Sequence, residues 1–158
     1  MKYLLVGKNG VFDTMIVAMG FLGLNDMNSC KEFANVQMEN TGKTIKVGTD
    51  AKGNDVYVVG NKFPDIVEIV NNELKALSNK TTNSELTLIK IATQGDNLNS
   101  YLIVLAKIPL LGTLFANLAK YLTLQSKAKL IQQGQNLRLV HQAGLDPKVN
   151  RVIAAKPY

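Results

Sequence analysis

The sequence predicts a single α/β domain, a three-layer fold with a mainly parallel sheet, Rossmann-like or P-loop-like, that carries a β-hairpin insertion. Three observations lead to this prediction. The chain opens with a short apolar segment that passes through a glycine loop into a helical pattern. Further β-rich segments alternate with helical ones, which is typical of parallel sheets covered by helices. With 46% hydrophobic and 19% charged residues, the 158-residue chain has the composition of a globular domain.

The opening of the chain predicts a strand, a loop and a helix. Residues 2–6 are apolar and end at Gly7, which predicts a short buried strand. Over 13–22, apolar side chains recur at spacings of four and three, which predicts a helix that ends at Gly23. The start of such a helix offers free backbone N–H groups and a positive dipole end, an arrangement suited to an anion.

The later elements follow from the same patterns. The β-rich residues 44–47 and 56–59 flank a run of turn residues, which predicts a hairpin. An apolar stripe after Pro64 predicts a helix over 64–77, and the apolar run 86–92 predicts another strand.

The second half predicts two apolar helices over 98–107 and 110–122, separated around Pro109. A short strand at 129–132 and a helix at 135–143 follow in this prediction.

The chain shows no repeat and no linker, so we expect one domain over 1–144 and an irregular tail over 145–158. The single cysteine, Cys30, excludes an internal disulfide and is typical of a reducing compartment. The first apolar run stops at Gly7 without a cleavage site, unlike a signal peptide. A cytoplasmic protein is therefore expected.

Charge is distributed unevenly along the chain. Residues 1–96 carry ten Lys and eleven Asp or Glu, a net charge of −1, whereas residues 97–158 carry eight Lys or Arg and one Asp, a net charge of +7. This asymmetry is compatible with a solvated basic face or with an anionic partner. The chain has only two arginines and no tryptophan, and few aromatic residues lie among its lysines to stack bases, which disfavours nucleic acid as a partner.

The first loop is the main candidate ligand site. Its glycines allow close backbone approach, Lys8 supplies charge, and Thr14 supplies a hydroxyl near the helix start. A Walker A motif places its lysine after the second glycine, whereas Lys8 precedes Gly10. Asp13 opposes an anion, because it could cap the helix and occupy the site itself. A plain tight turn and a cradle for a phosphate-containing small molecule both stay open. The candidate residues here are Gly7, Lys8, Asn9, Gly10, Asp13 and Thr14.

The second loop adds two candidate binding residues, Thr49 and Asp50. It lacks the calcium-binding pattern, so local hydrogen bonding in a hairpin turn is the competing interpretation. One cysteine and one histidine, Cys30 and His141, do not make a tetrahedral zinc site. We therefore predict no metal ligands and no catalytic residues, and no cofactor is indicated.

The most apolar stretch is residues 101–119. Lys107, Pro109 and Gly112 interrupt it, which argues against a membrane span. It predicts either a helical hairpin buried against the sheet or an apolar surface for a protein partner, a homo-oligomer or a membrane surface.

Three blocks of the sequence resemble a family of clostridial, spore-former type, the domain of unknown function 3189. The first is the starting strand with its glycine loop and the helix that ends Gly20-Phe21-Leu22-Gly23. The second, the most specific, is Gly48-Thr49-Asp50-Ala51-Lys52-Gly53-Asn54-Asp55-Val56-Tyr57-Val58-Val59-Gly60. The third is Leu118-Ala119-Lys120-Tyr121-Leu122-Thr123-Leu124, followed by Lys129-Leu130-Ile131 and Gly134. The resemblance implies a small cytosolic α/β protein with no known reaction.

The resemblance also implies lost chemistry. The family pattern carries His and Cys at the end of the first strand and a His near the helix start, where this chain has Val6, Gly7 and Phe12. We therefore expect a non-catalytic binding or assembly module that packs with a partner or a related subunit through 101–119. The alternative is a phosphate- or nucleotide-binding enzyme that uses the Gly7–Gly10 loop.

Overall fold

The computed structural model describes residues 1–39, 41–61, 86–91 and 96–142. Two short 3-10 turns, Met27–Ser29 and Val36–Met38, lie between the first helix and the second strand. Within the described residues the strands and helices are β1 (Lys2–Gly7), α1 (Asp13–Leu22), β2 (Ile45–Thr49), β3 (Asp55–Gly60), β4 (Leu86–Lys90), α2 (Asp96–Leu105), α3 (Gly112–Gln125) and α4 (Lys127–Gln142).

The strands form one mixed sheet in the order β2-β3-β1-β4. β1 is parallel to both of its neighbours, and β2 is antiparallel to β3. The α/β fold and the β2–β3 hairpin are thus confirmed, while the Rossmann-like or P-loop-like classification and the three layers stay predictions. Because β1 lies between two strands that are parallel to it, the loop that follows β1 lies beside the carboxyl ends of three strands. This is where α/β proteins commonly bind ligands.

The helix α1 has the bounds that the sequence predicted. It is more deeply buried than its apolar pattern indicated. Every residue from Asp13 to Phe21 is buried. Gly23 ends the helix in the left-handed conformation with φ 77°, and its N–H donates to the Gly20 carbonyl at 3.1 Å. A helix that is buried on all sides needs partners on all sides, and α1 packs against both the sheet and α4.

The strand predicted at 129–132 is wrong, because these residues belong to the helix α4. The helix predicted at 135–143 is confirmed as far as residue 142, as part of the longer α4. Gly134 lies inside this helix where it crosses α1. A Cβ atom on Gly134 would come within 2.6 Å of the Phe21 nitrogen, and one on Gly20 within 2.8 Å of the Ile131 Cα. The two glycines therefore permit a backbone approach that larger residues would block.

The helices α2 and α3 confirm the predicted helical pair with shifted ends. The Asn99 side-chain amide donates to the Thr123 hydroxyl at 2.7 Å in a buried contact between them. The predicted helix over 64–77 and the tail over 145–158 lie outside the described residues, so the domain boundary at residue 144 stays a prediction.

The main hydrophobic core joins one face of the sheet to residues of all four described helices. Leu5, Val56, Val58 and Ile89 contribute from the strands. A smaller cluster around Val6 and Leu88 lies on the opposite face. In the described part of the chain, no helix has the length and apolar character needed to cross a membrane.

Candidate functional site

The loop after β1 is held by the strands on either side of it. Asn61, just past β3, donates its N–H to the Gly7 carbonyl at 2.9 Å, and Ile91, just past β4, donates to the Val6 carbonyl at 2.8 Å. The loop therefore starts from a fixed position at the carboxyl edge of the sheet. This is where the sequence predicted an anion cradle.

A carboxylate of the chain itself binds the loop. The Gly10 N–H donates to Glu39 Oε1 at 2.7 Å, and the Val11 N–H donates to Glu39 Oε2 at 2.8 Å. Glu39 is completely buried. Charge-assisted hydrogen bonds of this kind are among the strongest in proteins. Glu39 thus takes two of the N–H groups that a phosphate in this loop would need.

The glycines of the loop make room for Glu39. A Cβ atom on Gly10 would come within 2.8 Å of the Gly60 Cα, and one on Gly60 within 2.7 Å of the Gly10 nitrogen. The Cβ on Gly60 would also collide with Glu39 Oε1. The close approach that suggested a ligand cradle therefore serves an internal contact between β1, β3 and Glu39.

The remaining candidates in the loop are mostly buried. Asn9 accepts a hydrogen bond from the Ser100 hydroxyl at 3.2 Å, which links the loop to α2. The Asn9 side-chain nitrogen and the Thr14 hydroxyl are buried without a hydrogen-bond partner. Asp13 is buried in the first turn of α1, and Lys8 is half-buried.

Asp13 is not the N-cap residue of α1. The helix begins at Asp13 with Phe12 in the N-cap position, and Phe12 makes no side-chain capping hydrogen bond. Phe12 is buried in the core, with its ring 6.5 Å from that of Phe33. The carboxylate that occupies the loop comes from Glu39 instead.

The structure does not bring Thr49 and Asp50 to this loop. Thr49 is the last residue of β2 and Asp50 opens the turn to β3, and Asp55 at the start of β3 pairs with Lys2 at the start of β1. That turn therefore lies at the end of the strands opposite to the end that carries the first loop. A role for these two residues in ligand binding stays a prediction, and it would need a separate site.

Local hydrogen bonds already occupy Asp50 in that turn. Its carboxylate accepts from the backbone N–H groups of Lys52 and Asn54 at 2.9 and 2.8 Å, and from the Asn54 side chain at 3.0 Å. Partial burial raises the pKa of Asp50, but these hydrogen bonds outweigh it and leave the pKa below its usual value. This is the behaviour of an Asp that stabilises a turn.

The lone cysteine and histidine lie in apolar surroundings. Burial raises the pKa of the Cys30 thiol, which disfavours the reactive thiolate. Burial lowers the pKa of His141, whose ring packs 5.8 Å from that of Tyr3 and 6.2 Å from that of Phe21. Among the described residues, no three His, Cys, Asp or Glu side chains come close enough together to hold a metal ion.

A second feature is the outer face of the helical pair. The inner side chains of α2 and α3 join the core, but a large set of apolar side chains faces away from it. We call this set the outer face. Its members are Leu98, Tyr101, Val104, Leu105, Ile108, Leu110, Leu111, Leu114, Leu118, Tyr121 and Leu124. The prediction that this stretch is a hairpin simply buried against the sheet is therefore wrong for one side of it.

Three lysines next to the outer face contact the body of the protein. Lys107 donates to the Glu39 carbonyl at 3.3 Å, and Lys127 donates to the Asn25 carbonyl at 3.1 Å. The Lys120 ammonium lies 5.9 Å from the centre of the Phe33 ring. Lys107 and Lys120 thus connect the helical pair to residues 25–39, and Lys127 connects the start of α4 to the same segment.

Glu39 and Ser100 were missed by sequence reasoning. Each contacts a loop that is distant in sequence, Glu39 across 28 to 29 positions and Ser100 across 91. No local pattern marks a glutamate that will bind backbone N–H groups elsewhere in the fold.

The fold and the loop define an α/β protein whose first loop is closed by its own carboxylate. The family model described as "Protein of unknown function (DUF3189)" matches residues 15–138, and the chain belongs to this family. The resemblance seen in the sequence is thereby confirmed. No curated protein and no solved structure matches the chain. The matched residues begin after the first loop, so the proposed loss of polar residues at Val6, Gly7 and Phe12 stays a prediction.

Proposed function

We propose that this protein is a non-catalytic α/β module that binds a protein partner through the outer face of α2 and α3. The observation that carries the proposal is the exposure of that face. Tyr101 is 69% exposed, Leu114 is 64% exposed, and Leu110 is fully exposed. Burying such side chains against a partner is favourable roughly in proportion to the apolar area removed from water.

The extent of the outer face supports a binding role. Its eleven side chains are all at least 36% exposed, and they follow one another along both helices and the turn between them. Single exposed leucines need no explanation, whereas large exposed apolar patches mark interaction sites.

The closed first loop supports the non-catalytic part of the proposal. Phosphoryl transfer depends on positioned donors and positive charge around the phosphates. Here Glu39 places a negative charge on the Gly10 and Val11 N–H groups. A phosphate would have to displace this buried carboxylate, so the phosphate- or nucleotide-binding alternative is the weaker one.

The directions of the lysines favour a protein partner over a membrane surface. Binding to anionic lipid requires cations that reach the headgroups beside the apolar face. Lys107, Lys120 and Lys127 instead contact residues 25–39. Three of the four lysines in this part of the chain thus contact the protein itself, and the fourth, Lys129, is exposed on α4.

Site-specific photo-cross-linking in cells that express the protein tests the proposal. A photoreactive amino acid at Leu114 should form protein adducts, and adding Leu118→Glu should abolish them. The matched control is the same probe at Leu139, which is 62% exposed on α4 outside the outer face, and which should form none. Equal adducts at both positions, lipid adducts only, or no adducts at Leu114 would contradict the proposed function.

A further inference from the structure

We infer that the partner on the outer face is a second copy of this chain, joined through its own α2 and α3 in a four-helix contact. This inference rests on the proposed function and names the partner that the function requires. Two-fold pairing through one self-complementary patch is the commonest way for proteins to form homo-oligomers.

The spacing of the exposed side chains fits helix-on-helix packing. On α3 and the residue before it, Leu111, Leu114, Leu118 and Tyr121 follow one another at intervals of three, four and three. On α2, Leu98, Tyr101 and Leu105 follow one another at intervals of three and four. Alternating intervals of three and four place side chains in one seam that packs against another helix. Two such seams on an adjacent helix pair form half of a four-helix bundle.

The number of exposed apolar side chains suits a dimer interface. A standard interface removes about 800 Å² of surface from each partner and has an apolar core within a polar rim. The outer face offers eleven apolar side chains, each at least 36% exposed, for such a core.

The chemistry of the seams favours a like partner. The side chains that form them are aliphatic or tyrosine, and no acidic or basic residue interrupts them. Two identical charged faces would repel each other, whereas two identical apolar faces lose water from both sides.

Leu110 adds an independent observation. This residue is fully exposed at the turn between α2 and α3, and its backbone has φ 74°, in the left-handed region that glycine prefers. A leucine here costs backbone strain and gains no contact within the described residues that would hide its side chain. Contact with a second copy accounts for a leucine where glycine would suit the isolated chain better.

Sedimentation velocity at concentrations up to tens of micromolar tests the inference. The wild-type chain should sediment as a dimer, with twice the 17.3 kDa chain mass. Leu114→Glu should weaken the dimer at least about a hundredfold, because a charge would be buried in the seam. The matched control Leu139→Glu should leave the dimer unchanged, and circular dichroism should show both variants folded.

Leu110→Gly separates a binding role from a structural one. Because glycine relieves the strained φ, the variant should melt no lower than the wild type when both are measured at concentrations too low for the dimer to form. The dimer should nevertheless weaken at least about tenfold, since an interface side chain is lost. A lower melting temperature with unchanged association would overturn the assigned role of Leu110.

The remaining outcomes are distinguishable. A wild-type monomer throughout the range overturns the second-copy inference, and protein adducts from Leu114 would then show that the proposed function stands with a different partner. A dimer that survives Leu114→Glu also overturns the inference, because its interface must lie elsewhere. A monomer that floats with anionic vesicles and forms only lipid adducts overturns both.

Discussion

Glu39 is the residue that decides how the first loop is interpreted. Sequence patterns located the loop, its glycines and the start of α1 correctly, and they raised the question of which anion the N–H groups receive. The answer is a carboxylate 28 to 29 positions away. Local spacing carries no information about a contact of that kind, because it forms only when the segment after α1 folds back over the loop.

Replacing Glu39 should destabilise the protein. Glu39→Ala would leave the Gly10 and Val11 N–H groups without their acceptor, and we expect a loss of about 2–4 kcal/mol in the free energy of unfolding by urea denaturation. The control Glu32→Ala removes a half-buried carboxylate that is not bonded to the loop, and it should cost less than about 1 kcal/mol.

Formate provides a more specific test of the same contact. In Glu39→Ala the small anion should bind the two freed N–H groups and restore part of the lost stability, as any ligand of the folded state does. Wild-type protein should gain nothing comparable. If formate stabilised both proteins equally, the assigned role of Glu39 would be wrong.

Because of His141, we expect the folded protein to lose stability in mild acid. Burial lowers the pKa of His141 below the ordinary value of 6.5, so the unfolded chain takes up a proton that the folded chain resists. The stability should therefore fall as the pH drops through 6.5, and this contribution should stop growing once the pH lies below the lowered folded-state pKa. Above pH 6.5, His141 is neutral in both the folded and the unfolded chain, so its contribution to the pH dependence vanishes.

Urea denaturation at several pH values between 7.5 and 5.5 measures this effect. His141→Phe keeps a ring beside Tyr3 and Phe21 and removes the titrating group, so the part of the pH dependence due to His141 should disappear. An identical fall in stability in the wild type and the variant would show that other groups are responsible.

The crossing of α1 and α4 is the main feature at the scale of elements. The apolar spacing of α1 and its glycine stop are local signals, which is why both could be predicted. The nature of α4 could not, since β-branched Ile131 and Gly134 are locally unfavourable in a helix. Packing against α1 overrides this preference, and the buried glycine is required by the neighbouring backbone.

Adding one methyl group at this crossing should be costly. Gly134→Ala improves helix propensity by roughly 1 kcal/mol but forces the two backbones apart, and we expect a net loss of about 1–2 kcal/mol. Thermal and urea denaturation measure it. On the exposed side of the same helix, Gln132→Ala should be neutral or slightly stabilising. A variant Gly134→Ala as stable as the wild type would mean that the helices do not approach each other this closely.

At the scale of the whole molecule, composition and periodicity gave the α/β class and placed the apolar helical pair. They left open whether that pair is buried or exposed. The same leucines satisfy either arrangement, and the choice depends on which side of each helix the rest of the chain covers. The structure buries Ala119 and Thr123 of α3 and exposes Leu114 and Tyr121. A similar limit applies to Thr49 and Asp50, because sheet pairing alone determines the edge at which their turn lies.

In this protein, the loop that resembles a ligand-binding loop is occupied by one of the protein's own side chains, and an apolar surface faces outward. Lys107 joins the two regions, since it reaches from the end of α2 to the backbone of Glu39.

The claim that Glu39 closes the loop is tested most directly by calorimetric titration of the wild-type protein with ATP, GTP and inorganic phosphate, each with Mg²⁺. We predict no saturable binding and no rise in melting temperature at millimolar concentrations, whereas a ligand at 100 times its dissociation constant would add about 2.7 kcal/mol of stability. Saturable binding of a phosphate ligand by the wild type, lost in Lys8→Ala, would contradict the claim.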